Sequence, residues 1–197
     1  MIEIFNITEI ITTYGYVGIL VIVFLESGIF FPLPGDSLIF TAGLLAPILN
    51  YNVFLLTLLI FIAAFTGGVV GYYIGTKLDF LYRYEFCRKI LKKKYMDDAH
   101  AFLEKHGLFA MILSRFIPVV RTFLPIVAGM VRMKYSDFLR YSFIGAFVWS
   151  TSFTLGGYYL GKSFPQIKDY LLLVIVIIVI ISILPGVYHY FHSKKQG

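Results

Sequence analysis

Charge and cysteine are both scarce in this sequence. Of its 197 residues, 14% are charged and 59% are hydrophobic, a composition typical of a membrane protein rather than of a soluble domain. Cys87 is the only cysteine, which excludes an internal disulfide and gives no indication of redox chemistry. The first residues lack the basic flank and the cleavage site of a signal peptide, so we expect the N-terminus to be retained.

Lysine and arginine are absent before Lys77, and eight of the 17 lie between Lys77 and Lys105. A net charge of +6 spread over a globular surface would suggest a nucleic-acid partner. The basic residues are instead concentrated in one stretch of the chain, which indicates orientation in a membrane. We therefore expect no nucleic-acid partner. Because cytoplasmic loops are enriched in basic residues, loop 76–107 is predicted to be cytoplasmic, with the N-terminus outside and the C-terminus cytoplasmic.

Histidine is missing from the apolar segments before His189. A membrane lipid phosphatase needs a nucleophile or a general base, usually histidine, so an enzyme is disfavoured. His100 and His106 share no helix face, and His189 and His192 form only a weak pair near the C-terminus. We therefore predict no enzyme activity, no metal site and no cofactor.

The chain contains an internal repeat with a spacing of 86 residues. The matched pairs are Phe30 with Phe116, Pro32 with Pro118, Leu38 with Leu124, Ala42-Gly43 with Ala128-Gly129, Phe61 with Phe147, and Gly71-Tyr72-Tyr73-Ile74-Gly75 with Gly157-Tyr158-Tyr159-Leu160-Gly161. One register aligns all of these pairs without a gap. The sequence therefore predicts an internally duplicated membrane protein.

Three segments, 53–75, 138–161 and 170–190, are long enough to cross a membrane, which takes about 20 apolar residues. Regions 14–49 and 108–131 are interrupted by proline. The apolar run 38–49 covers roughly 18 Å at ~1.5 Å per residue, too short for a hydrocarbon core about 30 Å thick. We predict a re-entrant hairpin in each region, since broken backbone at membrane depth is tolerated where protein or a wet cavity satisfies it. The predicted turn residues are Pro32, Pro34 and Gly35 in the first hairpin and Pro118 and Pro125 in the second.

These features predict an all-α polytopic membrane protein with two inverted repeats, each a re-entrant hairpin plus a transmembrane helix. The single membrane domain would cover residues 1–197. Repeat one is placed at about 14–76, a cytoplasmic amphipathic linker at 77–107, repeat two at about 108–162 and a C-terminal transmembrane helix at 170–190. Inverted repeats with broken helices near the midplane are the architecture of many secondary transporters. Hydropathy alone would also allow segment 14–33 to span.

Four ionisable residues fall inside the two hairpin regions. Glu26 and Asp36 are the only carboxylates in the first region, and Arg115 and Arg121 are the only bases in the second. A charge at the centre of a bilayer costs at least ~2.5 kcal/mol, so such residues indicate function. Two guanidinium forks suit phosphate oxygens, and carboxylates can pair with them or exchange a proton as a substrate enters. The set is suited to moving an anionic headgroup through a bilayer.

Each of these residues also has a structural interpretation. Asp36 could cap the half-helix that it begins, and Glu26 could clamp the hairpins together by pairing with an arginine. Arg115 could snorkel to the inner mouth, and Arg121 could be a structural counter-charge. Trp149 falls in the middle of a predicted span, where we interpret it as a packing residue.

The charged residues and prolines together form a specific pattern. It reads Glu26…Pro32-x-Pro34-Gly35-Asp36, then Arg115-Phe116-Ile117-Pro118-x-x-Arg121-Thr122…Pro125…Ala128-Gly129-Met130. Over roughly residues 15–162 the chain resembles the DedA family, also called SNARE-associated or VTT-domain proteins. The resemblance implies opposed re-entrant hairpins and lipid translocation, with the family's functional acids and arginines at Glu26, Asp36, Arg115 and Arg121. Leu113-Ser114 and Val120 depart from the small residues common there, which leaves the subfamily open.

The resemblance leads us to expect a lipid transporter of the bacterial cytoplasmic membrane. The specific expectation is a flippase that moves undecaprenyl phosphate from the outer to the inner leaflet, coupled to the proton-motive force as several members are. One alternative is a flippase or scramblase for a phospholipid such as phosphatidylethanolamine. Another is a proton-coupled exporter of small solutes or cations, which leaves two arginines unexplained. The expected partner is an anionic lipid headgroup within the membrane, and a homodimer is left open.

Overall fold

The computed structural model describes residues 7–28, 35–78 and 93–163. Within these ranges the chain forms six helices and no strand. The helices are α1 (Ile7–Gly28), α2 (Gly35–Leu45), α3 (Val53–Leu78), α4 (Lys93–Ser114), α5 (Pro118–Met130) and α6 (Tyr135–Ser163). The predicted all-helical fold is confirmed over this part of the chain.

Helix α3 is the central apolar element. Among the described residues, its segment Val53–Lys77 is the one long and apolar enough to cross a membrane by length and composition. Helix α6 is longer, at 29 residues, but serine, threonine and glycine reduce its apolar character. The predicted C-terminal span 170–190 lies outside the described residues.

Two helices are too short to cross a bilayer. Helix α2 has 11 residues and α5 has 13, so at ~1.5 Å per residue they rise roughly 16 and 20 Å. The first is the helix expected within the apolar run 38–49. Helix α1 is broken at Gly15, where φ is 53°, leaving Tyr14–Gly28 as a third short apolar helix.

The residues predicted to turn the two hairpins lie in different kinds of position in the structure. Pro32 and Pro34 lie outside the described residues, and Gly35 is the first residue of α2. Pro118 begins α5, where its missing N–H costs nothing because the first turn has no acceptor for it. The prediction for Pro125 is wrong: it lies inside α5 and does not turn the chain. One missing hydrogen bond to the preceding turn is tolerated there because α5 is packed closely against α3.

The structure describes mainly the second part of the predicted linker 77–107. Residues 79–92, most of the expected amphipathic helix, lie outside the described part of the chain. Helix α4 begins at Lys93 and continues across the predicted boundary between residues 107 and 108. Its one non-helical residue, His106, with φ −124° and ψ 15°, falls beside that boundary.

Helix α2 packs against α6 through a line of glycines. A Cβ on Gly43 would overlap the carbonyl oxygen of Thr154, and a Cβ on Gly157 would overlap that of Phe40. We call Phe40, Gly43, Thr154 and Gly157 the first glycine seam. Backbones this close leave no room for a side chain, so these glycines are required for the contact.

Helix α5 packs against α3 in the same way. A Cβ on Gly129 would overlap the carbonyl oxygen of Tyr72, and a Cβ on Gly75 would overlap that of Ile126. We call Tyr72, Gly75, Ile126 and Gly129 the second glycine seam. In both seams a short helix from one half of the sequence packs on the long helix from the other half.

The two seams differ in register by one helical turn. Phe40 and Ile126 are 86 residues apart, as are Gly71 and Gly157. The carbonyl of Phe40 meets Gly157, but the carbonyl of Ile126 meets Gly75, four residues beyond the counterpart Gly71. At ~1.5 Å per residue, this offset is roughly 6 Å along the helix axis.

The surface of the bundle carries large apolar side chains. Tyr14, Val17, Phe54, Phe109 and Phe147 are between 53% and 75% exposed. Exposed apolar side chains of this size on several helices of a chain that is 59% hydrophobic indicate contact with lipid rather than with water. The interior between α1, α2, α3 and α6 is likewise apolar, so buried charges stand out against it.

Candidate functional site

The four ionisable residues singled out in the sequence are all buried. Glu26, Asp36, Arg115 and Arg121 are between 3% and 7% exposed. Glu26 lies in the last turn of α1, Asp36 in the first turn of α2, Arg115 directly after α4 and Arg121 in the first turn of α5. The charges are therefore supplied by the interrupted ends of four helices, which the fold brings into its interior.

Arg121 pairs with both carboxylates. Its Nη2 donates to Oε1 of Glu26 and its Nη1 donates to Oδ1 of Asp36. We call Glu26, Asp36 and Arg121 the acid–arginine cluster. The planar guanidinium holds one acid on each arm of its fork, an arrangement that a lysine ammonium cannot reproduce.

Gly35 makes the close approach of the two acids possible. A Cβ at this position would fall on the carboxylate of Glu26, and the backbone N–H of Gly35 donates to the same carboxylate. Gly35 lies 86 residues before Arg121. The position that carries Arg121 in the second half of the sequence is therefore occupied by glycine in the first half.

Trp149 of α6 completes the cluster. Its Nε1 donates to Oδ1 of Asp36 over 3.1 Å, and its ring centroid lies 4.9 Å from Cζ of Arg121. The side chain is 1% exposed. The packing role expected for Trp149 is confirmed by its place in the hydrophobic core, but its two polar contacts are not predicted by the sequence. The available signal was that the only tryptophan of the chain falls in mid-span rather than in the interfacial belt where tryptophan concentrates.

The contacts of Asp36 differ from those of a helix cap. Helix α2 starts at Gly35, so Asp36 already lies within its first turn. In the part of the chain that the structure describes, the hydrogen bonds of its carboxylate come from Arg121 and Trp149. Asp36 therefore connects α2 to α5 and α6. This geometry is not that of a residue that only caps its own helix.

Arg115 occupies a separate environment. Its Nη2 donates to Oγ of Ser142 over 3.1 Å and lies 3.5 Å from the carbonyl oxygen of Ala64. Within residues 7–28, 35–78 and 93–163, no carboxylate lies within ion-pair distance of it. With 7% exposure it does not snorkel to a surface, so the snorkelling expectation is wrong for this conformation.

Small residues make room for the Arg115 side chain. A Cβ on Gly68 of α3 would lie 3.2 Å from Nη2 of Arg115, and one on Gly145 of α6 would lie 3.4 Å from its Cδ. Ser142 of α6 is itself 1% exposed. The hydrogen-bonding groups that the structure describes around the guanidinium, a hydroxyl and a backbone carbonyl, are both neutral.

One polar atom of the cluster has spare capacity. Nε of Arg121 is buried and has no hydrogen-bond partner among the described residues. Two threonine hydroxyls on α6, those of Thr151 and Thr154, are in the same condition. A buried donor without an acceptor carries a desolvation cost.

No metal site is found in the described ranges. No three histidine, cysteine, aspartate or glutamate side chains there lie close enough to hold an ion. His189 and His192 lie outside those ranges. The described side chains of the site form ion pairs and hydrogen bonds.

Comparison with known proteins decides the family. The VTT domain matches residues 33–159, a stretch that contains Asp36, Arg115, Arg121 and Trp149. The protein DedA of Escherichia coli strain K12 is 41% identical over 197 residues, covering 96% of this chain and 90% of the relative. The chain belongs to the DedA family.

Two further relatives carry descriptive names. A protein named Undecaprenyl phosphate transporter A in Staphylococcus aureus is 30% identical, covering 96% of this chain and 97% of the relative. The inner membrane protein YqjA of E. coli K12 is 31% identical, covering 87% and 80%. No solved structure matches this chain significantly. Family membership makes this a membrane protein, as its composition predicts.

Proposed function

We propose that this DedA-family protein is a flippase that returns undecaprenyl phosphate from the outer to the inner leaflet of the bacterial cytoplasmic membrane. The relative named as an undecaprenyl phosphate transporter supports the substrate class. The buried charges support the mechanism. A phospholipid such as phosphatidylethanolamine is the second candidate, since its phosphate would be bound by the same groups.

The observation that carries the proposal is that Arg115 is buried and has no carboxylate within ion-pair distance among the described residues. A guanidinium buried without an acid partner costs several kcal/mol relative to water, and arginine keeps its charge at every relevant pH. The neutral contacts from Ser142 and the backbone of Ala64 compensate only in part. An incoming lipid phosphate would supply the missing negative charge and two oxygens for the fork.

Arg121 would enter the cycle second. At rest both arms of its fork are occupied by Glu26 and Asp36, while its Nε has no partner among the described residues. A phosphate held by Arg115 would compete with the carboxylates for Arg121. A carboxylate displaced in this way would be destabilised as an anion and would take up a proton, which couples lipid entry to the proton-motive force.

The fold supports two inverted repeats with opposed re-entrant hairpins as the framework of this cycle. Helices α2 and α5 are too short to span, each begins beside a buried charge, and each packs on the long helix of the other half through a glycine seam. Inverted repeats related by a pseudo-two-fold axis in the membrane plane are the framework of many transporters. Repeat one would cover about 14–76 and repeat two about 108–162.

The register difference between the seams suggests how access alternates. Two repeats of like sequence can exchange conformations, so that each seam takes the register of the other. The second seam would then slide by one turn until the carbonyl of Ile126 met Gly71, and the first would slide until that of Phe40 met Gly161. Such a slide of roughly 6 Å would shift α2, which carries Asp36, along α6 and would shift α5, which carries Arg121, along α3.

The other function class fits the site less well. A proton-coupled exporter of small solutes or cations would use Glu26 and Asp36 but gives Arg115 no anion to bind.

The orientation that we propose, with the N-terminus outside and loop 76–107 inside, rests on the distribution of lysine and arginine.

Transport by the purified protein in vesicles tests the proposal. Fluorescent undecaprenyl phosphate and phosphatidylethanolamine are compared in one reconstitution, with and without a pH gradient across the vesicle. We expect gradient-stimulated movement of the polyprenyl phosphate. Faster movement of phosphatidylethanolamine would move the assignment to the second candidate, and movement of neither would contradict lipid transport.

A further inference from the structure

Trp149 makes two polar contacts that packing does not require. Its indole N–H points at Oδ1 of Asp36, and the face of its ring lies against the guanidinium of Arg121. An indole has one donor and no acceptor, so this bond needs an acceptor oxygen on Asp36. A ring face attracts a cation through its quadrupole, and this contact needs Arg121 in its charged form.

The contacts fix the geometry of the acid–arginine cluster from a third helix. Oδ1 of Asp36 accepts hydrogen bonds from Nη1 of Arg121 and from Nε1 of Trp149. A carboxylate oxygen held by two donors from α5 and α6 has a single orientation. Helix α6 contributes no charged residue to the cluster, so Trp149 is its connection to the ion pair.

We propose that Trp149 is a positioning residue that holds Asp36 and Arg121 in register and sets how readily Arg121 is transferred from the carboxylates to an incoming lipid phosphate monoester. The contact itself is independent of any substrate, whereas its role in transfer rests on the function proposed above. The residue touches the groups of the cluster and not the lipid.

Substitution to phenylalanine separates positioning from packing. Trp149→Phe keeps an aromatic ring and most of the volume but removes the N–H donor. The loss of one hydrogen bond to a charged group misplaces Asp36 and Arg121, and it predicts a roughly tenfold lower maximal transport rate. The half-saturating lipid concentration should not increase, because the acids then hold Arg121 less firmly and leave it available to the phosphate. The matched control is Phe153→Leu, which removes a ring 5.9 Å from that of Trp149 without altering the cluster.

Each outcome of this comparison is informative. A tenfold loss in Trp149→Phe with near-normal rates in Phe153→Leu supports positioning. Equal losses in the two variants, or a lower melting temperature of Trp149→Phe with unchanged transport per folded molecule, would identify a packing residue and overturn the proposal.

Fluorescence tests the contact without any lipid. Because the chain has one tryptophan, its intrinsic emission reports on the cluster directly. Asp36→Asn changes the charge but not the size of the acceptor, so a positioning contact predicts a shifted emission maximum and packing alone predicts none. The control carries Trp149→Phe with Phe109→Trp, a reporter at a 69% exposed site on α4, where Asp36→Asn should leave the emission unchanged.

A second perturbation covers failure of the variant to fold. Acidification of the wild-type protein until carboxylates are protonated should shift the emission of Trp149 and leave that of the Phe109→Trp reporter unchanged. No shift with either perturbation would overturn the positioning role even if lipid transport is established. A clear shift in a protein that moves no lipid would contradict the proposed function and leave the contact intact.

Discussion

Arg121 of α5 forms an ion pair with Asp36 of α2 across 85 residues of sequence. The same guanidinium also pairs with Glu26 of α1, 95 residues away. One side chain from the second half of the chain therefore binds both acids of the first half. This arrangement makes Arg121 the residue on which the two halves depend for their charge balance.

Replacing Arg121 by lysine should abolish most transport while the protein still inserts. An ammonium is a point charge and cannot donate to two carboxylates with the geometry of a fork, so one acid would lose a charge-assisted bond. We expect a roughly ten- to hundredfold lower rate, in line with ~1.5–3 kcal/mol per bond to a charged group. The assay is lipid movement in vesicles, normalised to inserted protein. Wild-type rates in this variant would reduce Arg121 to a replaceable counter-charge.

The glycine seams predict an asymmetry between two glycines 86 residues apart. Gly157→Ala should destabilise the protein by about 1–3 kcal/mol, because the new methyl group would overlap the backbone carbonyl of Phe40. Gly71→Ala should cost less, since its Cβ would lie 3.3 Å from Cβ of Pro125 and 3.4 Å from the carbonyl oxygen of Gly28. Thermal unfolding of the purified variants in detergent measures both.

Transport by Gly71→Ala tests the alternating register. If the second seam slides by one turn, Gly71 must meet the carbonyl of Ile126 and its methyl group would block that state. We therefore expect Gly71→Ala to be folded but slow. A folded Gly71→Ala protein with wild-type rates would exclude the one-turn slide.

The all-helical fold of the described residues and the burial of four charged side chains could be predicted from the sequence, because both follow from its apolar composition and from the position of these charges within apolar segments. The pairing could not. Nothing in the spacing of Arg115 and Arg121 indicates that Arg121 takes both acids while Arg115 takes Ser142 and a backbone carbonyl. Both arginines are buried, so the division depends on tertiary contacts between segments that are distant in the sequence.

One wrong prediction and one missed contact have the same physical origin. Pro125 was expected to turn the chain, but a helix interior accepts one proline when neighbouring packing compensates the lost bond. Trp149 packs in the core as expected, but its hydrogen bond to Asp36 was missed, because the indole N–H has a partner only once α2 lies beside α6. In both cases local preference was overridden by contacts between distant segments.

Neutralising one carboxylate should uncouple transport from the proton gradient. Glu26→Gln and Asp36→Asn keep the shape of the side chains but cannot release a proton, so we expect gradient-driven accumulation to be lost and headgroup binding to be partly retained. The measurement is the lipid flipping rate against pH for both variants, with thermal stability recorded alongside. A wild-type pH dependence in both variants would exclude coupling through these acids. Loss of folding in Glu26→Gln would instead assign Glu26 to a structural clamp.

The inverted topology predicts labelling from opposite sides. A cysteine introduced at Asn50 in a Cys87→Ser background should react with an impermeant reagent added outside intact cells, and one at Lys93 should react only after the membrane is opened. The reason is that α3, which lies between these positions, is long enough to cross the membrane. Labelling of both positions from the same side would contradict the inverted-repeat arrangement.

Binding of a lipid phosphate to Arg115 is the central claim, and the most direct measurement is the affinity of a short-chain polyprenyl phosphate for the purified protein in detergent. Arg115→Gln removes the buried cation, and Arg140→Gln, an exposed arginine on α6, is the matched control. We predict that the affinity falls at least roughly tenfold in Arg115→Gln, from the loss of a charge-assisted pair, and stays unchanged in Arg140→Gln. Equal affinities in the wild type and in a folded Arg115→Gln variant would contradict the account.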